Sequence, residues 1–403
     1  MWKFSSLHEE RDITPHFKKK SLTAILTISA LCACSSRTSP VTGSSSSFAE
    51  SKWERLVTDG KIAAKKGNHF EAAECFQAAV HEAEKGRDDP SHSGLQQHRL
   101  ADSLSNLAGQ YGGVGKFADA ETAFKRALDI IRKGPNIDQR SLVTTLSNLG
   151  EVYVFEGKFD EAEKVFLRSL NIAKESFGPL DADVALNLNN LAELYHAQGN
   201  LVQAEIFSRR TLAVQEKALA PSVTSVATSL TNLAIILDAH EKYAEAEGLL
   251  NRALEIQQKK FGPDSPKSLR TLQELSWSYK TKGELAKALA ISMHVLAIGE
   301  KSYSNDDPTL ATILYKVADC YFSYGKVSEA EQLLNRALKI REKVFGMNHP
   351  KVAEIVEALA FVLRKTQRIG DAEKMEVRAK AIRAQKNGRE TQQKSVRFVP
   401  PEY

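Results

Sequence analysis

The sequence predicts an all-α solenoid of about eight helix-turn-helix hairpins. Three observations lead there. A chain of 403 residues exceeds what one hydrophobic core supports, so it must form several domains or a repeat array. Its composition is 42% apolar and 26% charged, with only 12 Pro and 22 Gly, and it is rich in the helix formers Ala, Leu, Glu and Lys. Most decisively, from residue 101 the sequence repeats every 42 residues without an insertion.

The repeat is visible in SLSNLAGQY (103–111), TLSNLGEVY (145–153), NLNNLAELY (187–195) and SLTNLAIIL (229–237), continued by TLQELSWSY, ILYKVADCY and IVEALAFVL. Leu107, Leu149, Leu191, Leu233, Leu275, Val317 and Leu359 form one column. A small residue follows each, as in Ala108, Gly150 and Ala192, and Tyr111, Tyr153, Tyr195, Tyr279 and Tyr321 stand three places later. Next comes a turn glycine at Gly115, Gly157, Gly199, Gly283 and Gly325, from which Glu241 and Gln367 depart. A second apolar period begins there, with Ala120, Ala162, Ala204, Ala246, Ala288, Ala330 and Ala372 as its unchanging column. Both halves carry the i, i+3, i+4, i+7 spacing of an amphipathic helix, and the glycine between them closes an antiparallel hairpin. One hairpin cannot bury its apolar face alone, so stacking is obligatory.

The pattern LNNLAELYHAQGNLVQAEIFSRRTLAVQEK (188–217) and the joints FGPDSP (261–266) and FGMNHP (345–350) resemble the tetratricopeptide repeat. The resemblance is to the longer form found in kinesin light chains and many bacterial relatives. It implies a right-handed superhelical solenoid over residues 52–386, with a less regular first unit, WERLVTDGKIAAKKGNHFEAAECFQAAV (53–80), ahead of the seven in register. In that first unit Asp59 stands where the others have Leu. In the last, Lys380 replaces the apolar residue of Leu128, Leu254 and Leu338, as a terminal cap with a polar outer face requires. Residues 387–403 are polar, carry Pro400 and Pro401, and are expected to be a disordered tail.

The N-terminus reads as an address. Lys18, Lys19 and Lys20 precede an apolar run from Ser21 to Ala33 that is shorter than the ~20 residues of a membrane span. A basic segment before a short apolar one marks a secretory signal, here residues 1–33. Leu31-Cys32-Ala33-Cys34 resembles the lipobox of bacterial lipoproteins, which implies lipidation of Cys34. With Ser35 next, it implies the periplasmic face of the outer membrane. Several acyl chains, at about 0.8 kcal/mol per buried CH₂, make a lasting anchor. The serine-rich residues 34–51 are then a flexible tether of roughly 20–25 Å. The acidic Glu9, Glu10 and Asp12 ahead of the lysines suit a second reading, a cytoplasmic adaptor preceded by a misplaced start.

The resemblance places a peptide or protein partner in the concave groove lined by the first helix of each hairpin. The asparagine before the Leu column is a contact position there, because an amide both donates to and accepts from an extended backbone. It is Asn106, Asn148, Asn190 and Asn232, then Glu274, Lys316 and Ala358; the same amides could instead bridge adjacent helices. Glu151, Glu193, His196, Asp238, Arg270, Lys280 and Lys316 share that face, neutral to acidic early and more basic late. No lysine or arginine pairs beside the asparagines, which speaks against capture of a free C-terminal carboxylate.

No catalytic, metal or cofactor site emerges. The ten histidines form no HExxH or close acidic cluster, and no GxSxG occurs. GQYGGVGKF (109–117) falls on the hairpin-turn register and lacks the pattern of a phosphate loop. The net charge of +5 is too small and too dispersed for nucleic acid. Cys75 and Cys320, several hairpins apart, are expected to be core thiols. The arginines of the second helices (Arg126, Arg168, Arg210, Arg252, Arg336, Arg378) are expected to lie on a solvated surface. The expectation is therefore a non-catalytic scaffold that takes neither small-molecule substrates nor nucleic acid.

Overall fold

A computed structural model describes residues 51–85, 93–134, 138–218 and 222–395, the last eleven of these by backbone alone. The expected signal segment (1–33), Cys34, the expected tether as far as residue 50, and residues 396–403 lie outside the described residues. Among the described residues, sixteen α-helices form eight antiparallel hairpins. They are α1 (Lys52–Lys65), α2 (His69–Lys85), α3 (Ser93–Gly113), α4 (Phe117–Lys133), α5 (Gln139–Glu156), α6 (Phe159–Phe177), α7 (Ala182–Ala197) and α8 (Leu201–Lys217). There follow α9 (Val223–Ala239), α10 (Tyr243–Phe261), α11 (Leu269–Thr281), α12 (Leu285–Ser302), α13 (Pro308–Ser323), α14 (Val327–Phe345), α15 (Pro350–Lys365) and α16 (Ile369–Ser395). A 3₁₀ turn, Pro266–Ser268, precedes α11, and no strand occurs among the described residues.

The chain divides into two compact units at Pro221/Ser222, a break that the even repeat spacing does not announce. The first holds α1–α8 and the second α9–α16. At the other end one boundary moves. Helix α16 runs to Ser395, past residue 386 and into the segment expected to be a disordered tail. Gln, Lys, Arg and Glu dominate there and no proline occurs before Pro400, and the helix continues through Asn387 and Gly388.

In five of the eight hairpins a small residue on the first helix is matched by a large apolar one sixteen places later on the second. Gly60 faces Phe76, and Gly150 faces Phe166: a Cβ on Gly150 would lie 2.4 Å from Phe166 Cε1. Both phenylalanines are 1% exposed. The same register pairs Ala108 with Phe124, Ala234 with Leu250 and Ala318 with Leu334, so the volume summed across the hairpin is nearly conserved. At Ser276 and Ser292 two hydroxyls meet instead, 2.7 Å apart.

The first helix ends in a left-handed residue followed by a bond that spans five residues. Gly157 has φ 75°, and the Lys158 N–H donates to the Tyr153 carbonyl at 2.8 Å, satisfying a carbonyl the helix leaves orphaned. Glu241 and Gln367, the two departures from glycine, keep the turn with φ 61° each. They hold a conformation that costs a residue with a Cβ about 1 kcal/mol. Side-chain caps open the first helices: Asp138, Asp181, Ser222 and Asp307 each accept from a backbone N–H of the first turn. Pro308 and Pro350 occupy the first turn of α13 and α15.

Between hairpins, the Tyr column does more than fill space. Tyr153 donates to Glu121 at 3.3 Å, Tyr195 to Glu163 at 2.5 Å and Tyr279 to Glu247 at 2.7 Å. In each case a first helix is tied to the second helix before it. The turn lysines join the same carboxylates, with Lys158 Nζ 2.7 Å from Glu121 and Lys282 Nζ 2.7 Å from Glu247. Hydrogen bonds from Lys125 and Lys158 hold the Glu121 carboxyl down at about 2. The second-helix arginines are also more engaged than expected. Arg126 reaches Glu84 and Arg378 reaches Glu342, each at 2.5 Å, and Arg336 pairs with Glu300. A partly exposed face is thus laced from hairpin to hairpin. Of the two cysteines expected in the core, Cys320 is 8% exposed, whereas Cys75 is only half-buried. It lies on a polar turn of α2 between Glu74 and Phe76.

Candidate partner-binding face

The first helices of neighbouring hairpins touch directly in each unit, and a step of about forty residues brings their side chains together. Ser105 lies 3.2 Å from Thr145, Ser147 donates to Asn187 at 3.0 Å, and Thr231 lies 3.1 Å from Thr271. This hydroxyl and amide seam joins consecutive first helices and is buried at Ser147, Asn187 and Thr231.

In the first unit, Asn106 and Asn148 are half-buried, while Asn190 is 3% exposed. The Asn190 Nδ2 is buried and has no hydrogen-bond partner. One turn along α7, Glu193 accepts from Asn189 at 2.8 Å. On α5, the carboxyl of Glu151 is 8% exposed, and burial, reinforced by the Glu193 charge, pushes it up to about 8. His196 is half-buried, and burial lowers its basicity. The sequence brought these residues to one face; it did not reveal that a carboxyl there is held neutral at pH 7.

In the second unit the expected site residues serve one another. Asn232 accepts from Arg270 Nη2 at 2.7 Å, the bridging role that the sequence left open. Lys280 pairs with Asp319 and lies 4.9 Å from the centre of the Trp277 ring. Lys316 is exposed and donates to Gln273 at 3.0 Å. Ser278 donates to Asp238 at 2.8 Å, and burial raises that carboxyl to about 6. The basic character of this half is therefore largely spent inside the protein. Asp319 and Trp277, which complete the Lys280 pair, were missed, because a pairing between consecutive first helices shows only once the contact step is known.

The tetratricopeptide repeat profile matches six overlapping windows: 99–175, 141–217, 182–259, 225–301, 282–343 and 309–385. The chain belongs to the tetratricopeptide repeat family. Among solved structures, this tetratricopeptide repeat protein is similar to a kinesin-light-chain-type protein of Podosopora anserina with nearly identical TPR-like repeats. The two share 24% identity over 51% of this chain and 97% of that one, with a TM-score of 0.44. It is also similar to a tetratricopeptide repeat protein from Parabacteroides merdae (19% identity, 77% and 98% covered, TM-score 0.49). A third is BtubC from P. vanneervenii (21% identity, 73% and 93% covered, TM-score 0.37). No curated protein matches. Tetratricopeptide repeat proteins generally act as protein-interaction scaffolds. Among the described residues, no group of His, Cys, Asp and Glu could hold a metal ion. No described helix is long and apolar enough to cross a membrane.

Proposed function

We propose that this protein is a non-catalytic scaffold that holds a peptide or protein partner against its first-helix faces, and that a lipidated Cys34 tethers it to a bacterial envelope membrane, on the periplasmic face of the outer one. The observation that carries the binding reading is the buried Asn190 amide, which recurs in register with Asn106 and Asn148 and offers a donor that no protein group uses. Such a donor costs about 1–3 kcal/mol until something accepts from it, and a partner backbone is the acceptor that an extended face can receive. The small net charge of +5 and the absence of a basic stripe argue against nucleic acid as that partner.

Substituting Asn148 and Asn190 with leucine should weaken partner capture from an envelope extract while helical content and melting persist. Loss of folding would instead make the amides structural. For the anchor, the full-length protein should partition with membranes and incorporate labelled palmitate, and Cys34→Ala should abolish both. Equal solubility of the two proteins would end the lipoprotein reading. It would favour the second one, a cytoplasmic adaptor without an anchor, which the acidic Glu9, Glu10 and Asp12 support.

A further inference from the structure

In the second unit, the repeat supplies its own cation to the first-helix face. Lys280, on α11, reaches Asp319 on the next first helix, 39 residues on, and lies over Trp277. In the first unit the register positions of Asp319 are Glu193 and Glu151, so both acids are kept. At the register position of Lys280 the first unit has Val154, 39 residues before Glu193, and Gly112, 39 before Glu151.

Around Glu151 the register position of Trp277 is also vacated, by Gly109. Gly109 and Gly112 lie one turn apart within α3, where each costs about 1 kcal/mol relative to alanine. No close packing demands them. A Cβ on Gly109 would meet nothing within 4 Å, and one on Gly112 would meet only Val152 Cγ2, at 4.0 Å. Two glycines thus leave a notch where the equivalent hairpin puts a tryptophan and a lysine. One 39-residue step beyond Glu151, on the next first helix, stands Asn190, 3% exposed with its Nδ2 unpartnered.

Resting on the reading of this face as the binding surface, we infer that the Gly109–Gly112 notch receives a lysine or arginine side chain of an extended partner peptide, with Glu151 and Glu193 as its counter-charges and the Asn190 amide donating to a peptide carbonyl. The partner's cation takes the place that Lys280 fills from within the chain in the second unit. Burial and the Glu193 charge hold the Glu151 carboxyl up at about 8, so it is protonated at neutral pH and two adjacent negative charges are avoided. An arriving ammonium or guanidinium displaces that proton to solvent and restores a buried, hydrogen-bonded ion pair.

The test uses the full-length chain in mild detergent and short capped fluorescent peptides of alanine and serine. Their central residue is lysine, arginine, norleucine or glutamate. Fluorescence polarisation should show the lysine and arginine peptides binding at least about tenfold tighter than the norleucine peptide, and the glutamate peptide weakest. E151Q should remove this preference. G112K, which places an ammonium from within the chain at the register of Lys280, should block the basic peptides; its unchanged or raised melting temperature shows that the fold is intact. Equal binding of lysine and norleucine peptides, or wild-type binding by E151Q or by a folded G112K, overturns the inference. If peptides bind with sensitivity to Asn148 and Asn190 but without a cationic preference, the inference falls and the binding face stands. If a partner is captured undiminished by variants of both asparagines, the binding face itself falls.

Discussion

Glu151 gives the sharpest quantitative test of how this face is built. Its side chain is 8% exposed, and burial, with the Glu193 charge second, raises its carboxyl from 4.5 to about 8. Between those values the folded chain holds a proton that the unfolded chain has released, so stability falls as pH rises through that window and levels off above about 8. At about 1.4 kcal/mol per pH unit, the loss amounts to as much as ~5 kcal/mol. Glutamine has nearly the same shape and cannot ionise. E151Q should therefore match the wild type near pH 4 and exceed it increasingly with pH, by roughly 2–5 kcal/mol near pH 8. Asp238, raised to about 6, titrates in both proteins and cancels from the difference. Urea unfolding followed by circular dichroism across this range measures the effect. Hydrogen exchange of the α5 amides gives a local readout, because repeat arrays need not unfold in one step. Parallel stability profiles for the two proteins would show that Glu151 ionises normally and would refute the account of a carboxyl held neutral by burial.

Other outcomes follow from the packing. Gly150→Ala should destabilise the first unit by about 1–3 kcal/mol, because the new methyl would collide with Phe166, and this outweighs its better helix propensity. Adding Phe166→Leu should recover part of that loss in a double-mutant cycle of thermal melts, whereas simple additivity would deny the contact. Glu241→Gly should stabilise the second unit by roughly 1 kcal/mol by relieving the left-handed turn, measured as a shift in the denaturant midpoint. Glu247→Gln should cost about 1–2 kcal/mol, since Tyr279 and Lys282 both use that carboxylate. The same change at Glu245, two residues away and exposed, should have a smaller effect.

The repeating pattern was legible because each constraint on it is local. A glycine at the hairpin turn, a small residue against a large one sixteen places later, and an apolar stripe with helical period all follow from one hairpin's geometry. They are therefore written at fixed offsets in the chain, as at Gly150, Phe166 and Gly157. Even the exceptions were visible, although only the structure shows that Glu241 and Gln367 keep the turn at positive φ. The columns of the proposed binding face, from Asn106 to Asn232, could be drawn from the register for the same reason.

What each of those residues does was settled by neighbours about forty residues away. Asn190 and Asn232 occupy the same column, yet one keeps a bare amide nitrogen while the other is bound to Arg270. Lys280 looked like an exposed basic residue until Asp319 was found beside it. Glu151 is an ordinary glutamate in the sequence; burial, and after it the charge of Glu193 on a neighbouring helix, raises its carboxyl to about 8. Helix periodicity depends on which residues are apolar, a property of the chain alone. Charge state and hydrogen-bond satisfaction depend on solvent access and on a partner's position, and those exist only once the hairpins have stacked.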